Sequence, residues 1–176
     1  AMTMIPARNS GCSLLNWLSP LRVAWITCRV VNPARRWISG LIRSSSRRTP
    51  STVTTTDAIL QVGQFVEDSG FKGVPVLFTW ASAGRLYRYV YDLNSALVAR
   101  PHLIDAAAII NRSIATDLHI FAHSMGAFLT MEAIVDADQK GQFNRTGRLR
   151  NVVLASPDID VDVFRAQLGE IKTPFN

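Results

Sequence analysis

At Ala122-His-Ser-Met-Gly126 the apolar pattern of the chain changes period, and this change narrows the possible folds more than any other feature. Upstream, Leu118, Ile120 and Ala122 alternate in a run short enough for a buried strand. Downstream, Ala127, Met131, Ile134 and Val135 fall at i, i+4, i+7 and i+8, one face of a helix. A chain that passes from strand to helix across so short a turn must bend sharply at Ser124. Bulky groups two positions to either side would collide there, and Ala122 and Gly126 are small. Strand, tight turn and helix in this order form the building unit of α/β domains.

The sequence from residue 52 repeats that unit. Thr54-Thr-Thr-Asp57 supplies helix-capping residues, and Ile59, Val62, Phe65 and Val66 predict a helical face ending near Asp68. Val74–Trp80 reads as a strand with Pro75 near its start, where proline is tolerated. Ala81–Tyr91 reads as a loop. A helix is expected from about Asn94, with Pro101 either kinking it or opening a second segment to Ile114. Leu118–Ala122 is the next strand and Met125–Ala137 the next helix. The polar, basic stretch Gln139–Arg150 is a loop, Asn151–Ala155 a strand, and Val161–Leu168 the last helix. Helices alternating with strands predict an α/β fold, a three-layer α/β/α sandwich around a mostly parallel sheet. In such sheets function gathers at the carboxyl ends of the strands. Trp80, Ser124 and Asp158 all fall at or just past such ends.

Charge divides the chain in two. Residues 1–50 hold eight arginines and no lysine, aspartate or glutamate, whereas all thirteen acidic residues come later. The net charge of +6 is therefore a property of an arm (residues 1–51) and not of the core (residues 52–176). Both cysteines, Cys12 and Cys28, also lie in the arm, without metal-type spacing. Its longest apolar stretch, Leu14 to Val31, is interrupted by Arg22 and Arg29, which argues against a membrane-spanning helix. The arm has several readings: a transit peptide, a membrane-surface segment, a nucleic-acid-binding segment, or sequence foreign to the domain. Met2-Thr-Met-Ile5 resembles the start of a vector-encoded β-galactosidase fragment. A non-core arm or fusion scar is the preferred reading, membrane contact is second, and nucleic acid is third. Ser44–Ser51 reads as the linker.

Ser124 is the candidate nucleophile. A serine hydroxyl needs a base to take its proton and an acid to orient that base. The backbone N–H of Met125, at the positive end of the following helix, is the candidate oxyanion donor. The competing reading makes Ser124 a simple helix cap. Asp158 is the candidate acid and Asp160 its alternate; either could instead cap the Val161 helix, a role that suits Asp160 well. The histidines His102, His119 and His123 all precede Ser124. His102 reads as a solvated surface group, His119 as a residue inside the strand, and His123 as pointing away from its neighbour's hydroxyl. None of them suits the general base.

These residues together resemble a bacterial family of α/β-hydrolase domains of uncharacterised function, esterase- or lipase-like. The resemblance rests on Val76-Leu-Phe-Thr-Trp-Ala-Ser-Ala-Gly84, Tyr91-Asp92, Ala122-His-Ser-Met-Gly126 and Ala155-Ser-Pro-Asp-Ile-Asp-Val-Asp-Val-Phe164. It covers about residues 52–172 and implies a serine-hydrolase fold with Ser124 as nucleophile. The family carries a strand ending in an aromatic-Val-His-Gly-type segment before the threonine-rich helix start, which supplies a second oxyanion donor. Here the basic arm stands in that place. The sequence also stops before the later strands that would bring a histidine, so the resemblance implies a domain truncated at both ends.

The expected activity is hydrolysis of a small-molecule carboxylic ester, or a lactone or thioester, through an acyl-enzyme on Ser124 and without a cofactor or metal. The alternatives are a catalytically impaired remnant serving as a binding module, and a membrane- or nucleic-acid-associated protein led by its arm. A cytoplasmic or membrane-peripheral location is expected, and self-association is possible because the sheet would expose its edges. Trp80, Tyr87, Tyr89 and Tyr91 could line an acyl site, although ordinary packing explains them better. The sequons Asn111-Arg-Ser113 and Asn144-Arg-Thr146 are read as chance.

Overall fold

A five-stranded sheet carries helices on both faces in the computed structural model, which describes residues 2–5, 23–29, 55–70, 73–81 and 89–175. In chain order the elements are β1 (Met2–Ile5), β2 (Val23–Arg29), α1 (Thr55–Ser69), β3 (Val74–Phe78), α2 (Tyr89–Asn111), β4 (Asp117–His123), α3 (Met125–Gln139), β5 (Leu149–Ala155) and α4 (Val161–Glu170). The strands lie in the order β1-β5-β4-β2-β3. β1, β5 and β4 run parallel, while β2 is antiparallel to both β4 and β3. All strands but β2 therefore point the same way, and the α/β layered fold with a mostly parallel sheet is the one observed. β3 is an edge strand, which explains how it tolerates Pro75: the missing N–H need not serve a second neighbour.

Two parts of the arm belong to this sheet. β2 fills the position between β3 and β4, with Ala24 level with both Phe78 and Ala122. β1 lies against β5 from Met2↔Val152 to Ile5↔Ala155. The sequence had set the whole arm outside the core, and for these two segments the pairing says otherwise. The rest of the arm, including the linker at Ser44–Ser51, lies outside the described residues.

Alternation along β4 divides the core. Leu118 and Ala122 are buried and Ile120 half-buried, against α2 and α3 on one face. Phe121 points to the other face and meets Phe65 of α1, ring centroids 5.0 Å apart. The α1 face that packs is Ala58, Val62, Phe65 and Val66, again i, i+4, i+7 and i+8. Ile59, expected on that face, is exposed. α3 is the central helix, buried almost all round, with Met125, Leu129 and Met131 fully enclosed. Burying each such side chain contributes about 1.5–3 kcal/mol.

α2 departs from expectation at its start and its middle. It begins at Tyr89, so the expected loop loses its last residues to the helix, and it runs unbroken through Pro101 to Asn111. A proline costs a helix one hydrogen bond. Here the cost is offset by packing, since Ala96, Ala99, Leu103 and Ile110 are buried on both sides of the proline.

Candidate functional site

The register brings the strand ends level. His123 of β4 pairs with Ala155 of β5 and with Val23 of β2, and Ala24 lies level with Phe78 of β3. Ser124, the Ser156–Asp158 turn and Trp80 thus leave the same edge of the sheet. Ser124 carries φ 51° and ψ −124°, a left-handed backbone that a β-substituted residue adopts only under strain. Its N–H donates to the Ala155 carbonyl at 3.1 Å and extends the β4–β5 ladder by one bond. Its carbonyl accepts from Ala127 N–H at 2.9 Å and from Asp158 N–H at 3.2 Å. The backbone around the serine is therefore held by both α3 and the turn after β5.

Ser124 stands at the N-cap position of α3, yet its side chain makes no capping hydrogen bond. The capping reading would have the hydroxyl accept from the helix's first turn. The side chain is instead half-buried at the strand edge with its oxygen uncommitted to the helix. Met125 is fully buried, and its N–H belongs to the helix's first turn, where backbone donors lack intrahelical acceptors. An anion is favoured at that point by the aligned peptide dipoles.

The two aspartates part company. Asp160 caps α4: its Oδ1 accepts from Asp162 N–H at 2.9 Å and from Val163 N–H at 3.3 Å. It is thereby spent as a structural group. Asp158 is half-buried, and its Oδ1 accepts from the Tyr89 hydroxyl at 3.3 Å. Ser156, with φ 42°, folds the chain back so that Asp158 lies beside the elbow. The histidines lie on α2 and β4. His102 is exposed on α2, His119 Nδ1 lies 2.8 Å from Asn151 Nδ2, and His123 is buried within β4.

Of the aromatic residues considered as pocket lining, Trp80 is a packing residue. It stacks on Phe78 with centroids 6.4 Å apart, and its buried Nε1 has no hydrogen-bond partner among the described residues. Tyr89 and Tyr91 are exposed in the first turn of α2, and Tyr87 lies outside the described residues. Two groups at this end have surroundings that the sequence did not indicate. Tyr89 reaches Asp158 across the fold, a link that no local pattern encodes. Asp92 is wholly buried in the first turn of α2, although acids at helix starts are ordinarily solvated. One turn further along α2, the Ser95 hydroxyl donates to the Ala81 carbonyl and ties the helix to the segment that follows β3.

Among the described residues no cluster of His, Cys, Asp and Glu could hold a metal, and no helix is long and apolar enough to cross a membrane. Neither a curated protein nor a solved structure matches the chain. A family model does, over residues 52–174: that of the alpha/beta hydrolases of unknown function termed DUF900. The matched region takes in the elbow, the strand edge and Asp158, and the chain belongs to this family of α/β hydrolases.

Proposed function

We propose that this chain is a serine hydrolase of carboxylic esters, with Ser124 as the nucleophile of an acyl-enzyme. The observation that carries this reading is a serine in a strained backbone at a helix N-terminus whose hydroxyl does not cap that helix. Strain of this kind costs about 1–3 kcal/mol and persists where the surroundings enforce it. A cap would need no such strain.

In the proposed reaction Ser124 Oγ attacks the ester carbonyl carbon while a base takes the hydroxyl proton. The carbonyl oxygen becomes an oxyanion beside the Met125 N–H. Collapse of the tetrahedral intermediate breaks the bond to the alcohol oxygen, which leaves with the proton from the base. Water then repeats the sequence on the acyl-enzyme and releases the acid. Asp158 is the group that would orient the base, while its N–H and Tyr89 hold it in place. The proposed base is an imidazole from outside this sequence, because His102, His119 and His123 all precede Ser124, the reverse of the usual order in this fold.

Two measurements test this. A fluorophosphonate probe should label the protein, and labelling should vanish in Ser124→Ala. Added imidazole should raise p-nitrophenyl butyrate hydrolysis above its own background with the wild-type chain but not with Ser124→Ala. Folded protein that neither labels nor responds to imidazole would leave the fold as a non-catalytic binding module.

A further inference from the structure

A cavity of about 690 Å³ opens between the second half of α2, α3 and the loop of residues 142–149. It lies toward the opposite end of the sheet from the elbow, since Leu118 and Leu149, at the starts of β4 and β5, line it. Neither Ser124 nor Asp158 is part of its wall. Its size falls within the usual range of small-molecule sites, roughly 300–1,000 Å³. Where α2 and α3 face each other the wall is Ala107, Ala133 and Ala137, whose single side-chain carbons leave the volume open.

Charge at the mouth points to the kind of occupant. At the mouth, Arg112 and Arg145 are both exposed, and neither takes part in the salt bridges among the described residues. The acid on the wall, Asp105, precedes Arg112 on α2 by about two helical turns.

We infer that this cavity binds an aliphatic carboxylate, its chain between α2 and α3 and its carboxylate at Arg112 and Arg145. The apolar wall accepts methylene groups by the hydrophobic effect, and a long chain fills the open volume. Guanidinium groups suit a carboxylate because they offer paired donors in its own plane. The inference does not depend on the chemistry of Ser124, because the two sites share no residue.

Isothermal titration of the full chain with dodecanoate, below its micelle concentration, tests the inference, with dodecanol as the uncharged comparison. The expected result is saturable binding at one site, weakened at least about tenfold in Ala133→Leu and in Ala107→Leu, which fill the chamber. Ala107 is only half-buried, so this second variant keeps the test valid if Ala133→Leu does not fold. Arg112→Ala combined with Arg145→Ala should weaken dodecanoate about tenfold and leave dodecanol unchanged. The inference is overturned by an absence of saturable binding, or by binding that neither chamber-filling variant affects. Equal binding of acid and alcohol, indifferent to the arginines, would overturn it as well.

Discussion

The backbone of Ser124 sets stability against function at a single residue. Glycine adopts φ 51° without a side-chain penalty, whereas alanine keeps the strain. Ser124→Gly should therefore be more stable than Ser124→Ala by about 1 kcal/mol in urea unfolding, although both lose the nucleophile. Asp160 makes the opposite case of a residue with only structural work. Asp160→Ala should cost about 1 kcal/mol of stability and leave fluorophosphonate labelling of Ser124 intact. Asp158→Asn separates the two neighbours, since it should keep the fold and slow any imidazole-rescued hydrolysis. The elbow was legible in the sequence because strain demands small neighbours, and Ala122 and Gly126 declare it. Which aspartate caps was also legible, from its place just before Val161. The Tyr89–Asp158 bond was not, because it depends on where α2 begins and on the turn at Ser156.

Between elements, single carboxylates do the joining. Glu132 of α3 receives Arg100 of α2 at 3.3 Å and the amide of Gln167 of α4 at 2.7 Å. Gln167 is buried, so Glu132→Ala strands its amide and should lower stability by about 1–3 kcal/mol, measured by urea unfolding. Asp138, near the end of α3, accepts the backbone N–H groups of Lys172 at 2.7 Å and Thr173 at 3.2 Å. The Lys172 N–H first and the Thr173 hydroxyl next, with the Thr173 N–H and the Lys172 charge adding less, hold its carboxyl below the ordinary value of 3.8. A lowered value means that the tail contact is complete above pH 3.8 and is lost as pH falls through the depressed value. The protection factors of the Lys172 and Thr173 amides, taken relative to intrinsic exchange at each pH, should therefore fall in acid, and Asp138→Asn should keep them low throughout. Beside this clamp Phe175 meets Phe143 edge to face at 5.3 Å. Element types and most boundaries followed from periodicity. The start of α2 did not, because Tyr89-Val-Tyr91 is aromatic and branched and carries no helix signal of its own.

For the whole molecule the question is what the first residues contribute. Because β2 pairs on both sides, its removal would part β3 from β4 and leave two unpaired edges. A chain lacking residues 1–51 should self-associate in sedimentation and unfold with a shallower urea dependence. If it stays monomeric and unfolds as steeply as the full chain, the arm is an appendage, as its composition suggests. Charge and composition hid β2. Val23–Arg29 has the apolar character of a strand, but it sits in an acid-free segment whose arginines and prolines read as unstructured. Pairing decisions are non-local, and the partners of β2 lie far along the sequence.

That separation also sets a timetable. β2 must wait for both its neighbours, and β1 must wait for Leu149–Ala155, the last strand of the sheet. Closing such distant pairs is slow, because loop entropy is lost before any contact repays it. During synthesis β1 and β2 therefore emerge before their partners in this sheet, exposed to wrong ones until β3, β4 and β5 have been made.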